Sequence, residues 1–400
     1  MEVRIITDDE VTAFREVLLN AFGIDVDADP GGDDRFRALI GKSQAWGAFD
    51  QGQLVATAGT FDHTIGLPGG TTLPIVGLTM VSVRPTHRRR GLLRKLLDLH
   101  FADARDRGYA ASGLWASEAG IYGRFGYGIA AYNHVVQVER AGELTVAAGR
   151  ELDDVQWIDE AQARLALPAI YERATAARPG ALRRSEVWWR ERRFLETPFM
   201  RGGASKRRHV LARRGDELVG YLVFRQRGGF TDGIASGKTE INELIAIDSR
   251  AEATLWRLAL GMDLYPTVSW WNAPVDDSLP WLIGDSRRVK CQRADNLWLR
   301  IDDVAAALGA RRYPADGRIR FEIDGASWEL AVVDGRGRCA PTTHTPELRL
   351  DRASLGALFL GGTSATQLAR AELVRGEPSA IAAADRLFAS AIAPWCPEIF

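Results

Sequence analysis

Leu78-Thr-Met-Val-Ser-Val-Arg-Pro-Thr-His-Arg-Arg-Arg-Gly-Leu-Leu-Arg94 reads as a strand, a basic turn and the start of a helix. Leu78, Val81 and Val83 give the apolar strand. Arg84-Pro85 ends it, because the residue before proline is held extended and a turn follows. Leu92, Leu93, Leu96, Leu97, Leu99 and Phe101 supply the buried side of a helix that Gly108 stops. A helix start leaves unpaired N–H groups at a positive dipole end, and such ends bind phosphate. Gly91 allows close backbone approach, and Arg88, Arg89 and Arg90 add charge. The segment Val81 to Gly91, with Leu92 opening the helix, therefore reads as a pyrophosphate site, against the plainer reading of a basic surface turn.

Outward from it, Val11 to Phe22 has helical spacing, and Asp25 to Asp34 is a Pro/Gly/Asp-rich loop. Ala45 to Phe61 reads as a hairpin turning at Asp50-Gln51-Gly52, and Leu114 to Ser117 and Ala130 to Val138 as further strands. The alternation predicts a mixed α/β domain ending near residue 145. A second unit echoes it: Leu54-Val55 matches Leu218-Val219, and Leu78 to Val83 matches Asn242 to Ile247, at one constant shift of 164 residues. At that shift Arg88, Arg89 and Gly91 correspond to Glu252, Ala253 and Leu255, which have lost the cations and the glycine. A third unit opens near Asp295, with a strand at Leu297 to Ile301, a hairpin from Arg318 to Val333 and helices near Ser354, Thr363 and Ile381.

Composition excludes several classes. The net charge of −1 favours neither nucleic acid nor an anionic membrane. No apolar run approaches the roughly 18 residues of a membrane helix, and no signal-peptide pattern opens the chain, so a cytoplasmic protein is expected. Cys291, Cys339 and Cys396 make no zinc pattern and read as reduced thiols, and the six His show no metal spacing. Gly233-Ile-Ala-Ser-Gly-Lys-Thr239 fails as a P-loop, because Asp232 stands where glycine is needed and a strand follows.

The turn resembles motif A of the GNAT acetyltransferase superfamily, Arg/Gln-x-x-Gly-x-Gly/Ala after a strand, here Arg88-Arg-Arg-Gly-Leu-Leu93. Leu93 departs from the pattern, which removes one close-approach site. Ile121-Tyr-Gly-Arg-Phe-Gly-Tyr-Gly128 resembles the late motif of that family, in which a Tyr precedes a Gly-Phe-type turn. With Leu19-Asn-Ala-Phe-Gly23, Pro179-Gly180, Trp188-Trp189, Asp316-Gly-Arg318 and the terminal Phe400, the whole chain resembles the enhanced intracellular survival (Eis) acetyltransferases.

The resemblance implies an α/β architecture: a catalytic GNAT domain over 1–145, a degenerate GNAT-like domain over 146–294, and a sterol-carrier-like α+β domain over 295–400. It implies acetyl-CoA as cosubstrate. Val81 and Val83 would lend backbone groups to the pantetheine arm, one N–H polarising the acetyl carbonyl. Ser117 matches a cofactor-contacting position, and Tyr122 would protonate the leaving thiolate. Tyr127 reads instead as a half-buried aromatic with a satisfied hydroxyl. The carboxylate of Phe400 would serve as general base, although a free α-carboxyl has a pKa of about 3.3–3.7 and is weak. Asp25 and Glu398 are acidic candidates for contact with a cationic acceptor. The resemblance further implies amine acceptors such as aminoglycosides or lysine side chains, and a homo-hexamer. The rival readings are a lipid or sterol carrier built on the third domain, and an acyl-CoA-binding regulator without turnover.

Overall fold

The computed structural model describes residues 1–40, 44–139 and 151–400. A seven-stranded sheet runs in the order Glu2–Ile5, Ala45–Asp50, Gln53–Gly66, Thr72–Val83, Ala111–Leu114, Trp298–Ile301, Gly128–Ile129. A second runs Val289–Asp295, Tyr132–Glu139, Thr267–Pro274, Lys238–Ala246, Glu217–Arg227, Arg208–Arg214, Asp154–Ile158. A third, five-stranded sheet lies between Gly317 and Gly376. Among the described residues no helix is long and apolar enough to cross a membrane.

The sheets cut the chain differently from the divisions expected at 145/146 and 294/295. Tyr132–Glu139, expected in the first unit, pairs on both sides within the second sheet. Trp298–Ile301, expected to open the third unit, sits in the first sheet between Ala111–Leu114 and Gly128–Ile129. Each of the first two sheets is completed by a strand from a distant part of the chain, which local periodicity cannot reveal. The 145/146 division itself falls in 140–150, outside the described residues.

Two local expectations also shift. Gly32–Ile40 is a helix, whereas the acidic stretch before it read as loop to Asp34; Arg15 pairs with Asp29 and Asp33 and ties that stretch down. The strand expected at Leu114 to Ser117 is Ala111–Leu114. It pairs in parallel with Thr72–Val83 only at Val76↔Ser112 and Gly77↔Gly113, and the two strands then separate.

A continuous core joins the first sheet to the third through Phe61, Ile75, Leu299, Leu308, Leu330 and Phe359. The second sheet has its own core, into which Trp395 of the chain's tail is packed.

Candidate active site

The separation of Thr72–Val83 from Ala111–Leu114 makes a wedge. Arg84 donates its N–H to Val55 at 2.9 Å, so by the alternation of an antiparallel ladder Val83 turns its N–H and C=O the other way, into the wedge. Val81, two residues back, faces the same side. A bulge widens the opening. The register with Gln53–Gly66 slips between Thr57 and Gly59, and Met80 takes a φ of +55°. Thr57, buried, fixes the bulge by donating to Met80 O at 2.8 Å and pairing with the Ser82 hydroxyl at 2.6 Å.

The turn from Arg84 to Gly91 closes one end of the wedge. Arg89 and Gly91 both lie in the left-handed region, at φ +61° and +78°. The loop thereby coils so that its amides lead into helix Leu92–Asp106. No side chain caps that helix, leaving the first-turn N–H groups free for an anion. Arg88 reaches back to Val83 O at 3.4 Å. A cleft of about 660 Å³ results, lined by all eight residues expected around the cofactor and its leaving group: Val81, Val83, Arg88, Arg89, Gly91, Leu92, Ser117 and Tyr122. Leu93, the departure from the motif, also lines it without closing it. Phe22, Arg94 and Arg124 line it too and were not anticipated. Arg124 sits inside the late motif, and Arg94 follows the leucine pair, so both lay within quoted segments.

Tyr122 is nearly buried, and that burial raises its phenol above the ordinary range while the Ser117 hydrogen bond pulls the other way. The phenol is therefore protonated at neutral pH and able to give a proton to a departing thiolate. Tyr127, fully buried, pairs with His100 at 3.1 Å and is part of the core.

The tail reaches the head of the wedge. The Phe400 ring packs tilted against the His63 ring, centroids 4.9 Å apart, and lies so close to Gly77 that a Cβ there would come within 2.8 Å of it. Gly77 is the last residue paired before the strands part, so the glycine is what admits the terminal ring. The tail is held along its length. Trp395 donates its backbone N–H to Pro179 O at 2.9 Å, and Asn296 both donates to Cys396 O and accepts from Cys396 N, each at 3.0 Å.

Glu398 is buried and both of its oxygens are engaged. Arg184 takes one in a short contact, and Trp188 Nε1 donates to the other at 2.8 Å. Arg184 lies between Glu398 and Glu243, which also accepts from Tyr221 at 2.7 Å. The guanidinium holds the Glu398 carboxyl below its usual range despite burial, and holds Glu243 down to about 2. Glu398 thus anchors the tail and is not presented to an acceptor as expected. Asp25 is exposed at the start of the short turn Val26–Ala28, outside the cleft lining.

Residues 2–130 and 180–301 each match a family model described as an acetyltransferase (GNAT) domain, and 304–397 one described as a sterol carrier protein domain. The chain is 37% identical to N-acetyltransferase Eis of Mycobacterium bovis over 343 residues, covering 83% of this chain and 82% of the relative. It is 35% identical to an uncharacterised N-acetyltransferase of Streptomyces avermitilis, covering 100% and 99%. Among solved structures, Eis1 from Mycobacterium abscessus superposes with a TM-score of 0.85 at 31% identity over the full length of both chains.

Proposed function

This chain belongs to the Eis-type N-acetyltransferases of the GNAT superfamily and uses acetyl-CoA, and on that premise we propose direct acetyl transfer to an amine within a ternary complex. The diphosphate lies on the amides and guanidinium groups of Arg88 to Leu92, and the pantetheine arm runs along the wedge edge of Val81 and Val83. An inward N–H of that strand donates to the acetyl carbonyl oxygen, where negative charge grows in the transition state. Tyr122 gives its phenolic proton to the departing sulfur. The Phe400 carboxylate removes the proton of the attacking amine, directly or through one water.

What most supports the base assignment is the route of the tail, which is bonded at Trp395, Cys396 and Glu398 and brings its last ring against Gly77 at the head of the wedge. The acceptor in this reading is a polyamine-like molecule, an aminoglycoside or a lysine side chain, and the assembly a homo-hexamer. Two residues appended after Phe400 move the carboxylate away from that point. The extended protein should bind coenzyme A normally and lose most of its thiol release with acetyl-CoA and a panel of amines. Wild-type turnover in the extended protein would remove Phe400 from the mechanism.

A further inference from the structure

Behind the tail lies a second polar cavity, of about 230 Å³, walled by Arg192, Arg193, Arg207, Asn242, Glu243 and Glu398. Its charges do not cancel. Four guanidinium groups, Arg184, Arg192, Arg193 and Arg207, converge on two carboxylates, Glu243 and Glu398. Arg184 and Arg193 take those carboxylates, with Arg193 at 2.8 Å from Glu243. Arg192 donates only to the carbonyl of Ile399 at 2.7 Å, and Arg207 to backbone carbonyls, among them Leu195 at 2.9 Å. Among the described residues neither has a carboxylate within ion-pair distance. Burial, with Arg193 and Arg225 nearby, pushes Arg207 down to about 10 and outweighs the pull of Glu196 and Glu243. The side-chain oxygen of Asn242 is buried with no hydrogen-bond partner among the described residues, and an amide can offer either end to a ligand.

We propose that this cavity binds a small oxyanion, a phosphate or a short polycarboxylate, between Arg192, Arg193, Arg207 and Asn242. The volume holds a tetrahedral anion with a few waters of about 30 Å³ each. A bound anion bridges Arg192, which grips Ile399, to Arg193, which lies beside Glu398, and so ties down the tail just before its last residue. The anion takes no part in the transfer step itself, and its binding does not require Phe400 to be the base.

The test uses full-length protein saturated with coenzyme A, so that the turn at Arg88 is already filled. It is titrated with inorganic phosphate and, separately, with citrate at matched ionic strength while Tm is followed. A rise of about 2 °C at roughly tenfold above Kd, growing further with the logarithm of anion concentration, is expected with at least one of them, and which one responds identifies the anion class. Asn242→Leu replaces the amide with an apolar group of the same shape and keeps every guanidinium, so it should cut the rise sharply. Arg207→Met should weaken binding by about tenfold or more, the loss of one charge-assisted contact, and decides the question if the Asn242 variant does not fold. No such logarithmic rise with either anion, or an undiminished rise in the folded variant, overturns the proposal.

Discussion

The two acetyltransferase-like sheets share a strand plan and differ at one helix start. In the first, eight residues, Arg84 to Gly91, separate strand Thr72–Val83 from helix Leu92–Asp106. In the second, only Ile247 and Asp248 separate Lys238–Ala246 from Ser249–Leu260. Asp248 then caps that helix itself, accepting from the amides of Arg250 and Ala251 at 3.1 and 2.9 Å. Glu252 and its neighbours, matched by sequence shift to the basic turn, lie inside the helix. The anion loop has been replaced by a carboxylate already in place. The parallel strands of the second sheet part as well, after Ile241 and Trp270, but the tail fills the opening: a space of about 80 Å³ remains beside Leu244, Ile245 and Glu252, with Trp395 in its wall. The same fold thus leaves a helix start open, where the proposed function seats a diphosphate, or closes it with its own carboxylate.

Four measurements probe that contrast, in order of expected effect. Tyr122→Phe, which keeps the ring and removes the proton, should lower kcat by about 10²–10⁴ with little change in acetyl-CoA binding. No second-sheet residue is expected to match that loss. Charge reversal at Arg88 and Arg89 should raise KM for acetyl-CoA about 10- to 100-fold, the worth of one charge-assisted contact, whereas Glu252→Arg should leave it unchanged. Steady-state kinetics on all three proteins would break the comparison if the two sheets responded alike.

The third measurement is a pH profile. Asp277 is half-buried beside Glu252, and desolvation together with that neighbour raises its carboxyl to about 8. A raised acid contributes stability below its unfolded pKa of about 3.9 and loses it as pH climbs through the folded value. Thermal melts should show Tm falling toward alkaline pH, with Asp277→Asn flattening the slope. Last, Asp248→Ala removes a helix cap and should cost about 1 kcal/mol in denaturant unfolding with turnover untouched.

Much of the first site was legible because one strand-turn-helix carries it. Val81 through Leu92 is a local pattern, whereas Ser117 and Tyr122, a few dozen residues on, were named only through the resemblance and line the same cleft. What stayed hidden depends on contacts between distant segments. The acidity of Glu398 suggested an acceptor contact, and only Arg184, 214 residues away, shows the carboxylate to be spent. The wedge at Leu114 could not be read either. Trp115 to Ser117 have strand-like composition, but their parallel partner has already swung away at Gly77. The helix Gly32–Ile40 was missed because the Pro/Gly run before it reads as loop, although Asp33 and Asp34 in its first turn are a helix-start signal. The shift of 164 residues was right for the strands and misleading for the turn, because a deletion between strand and helix leaves an ungapped comparison pointing into the helix.

The strand Trp298–Ile301, lodged between Ala111–Leu114 and Gly128–Ile129, bears on how the molecule is born. During synthesis the half that carries the cleft has its turn, its helix and Tyr122 long before it has its seventh strand. Until about three-quarters of the chain has left the ribosome, the edges of Ala111–Leu114 and Gly128–Ile129 stand bare and open to wrong partners. A fragment ending at residue 145 would keep that defect for good, so it should aggregate when expressed alone.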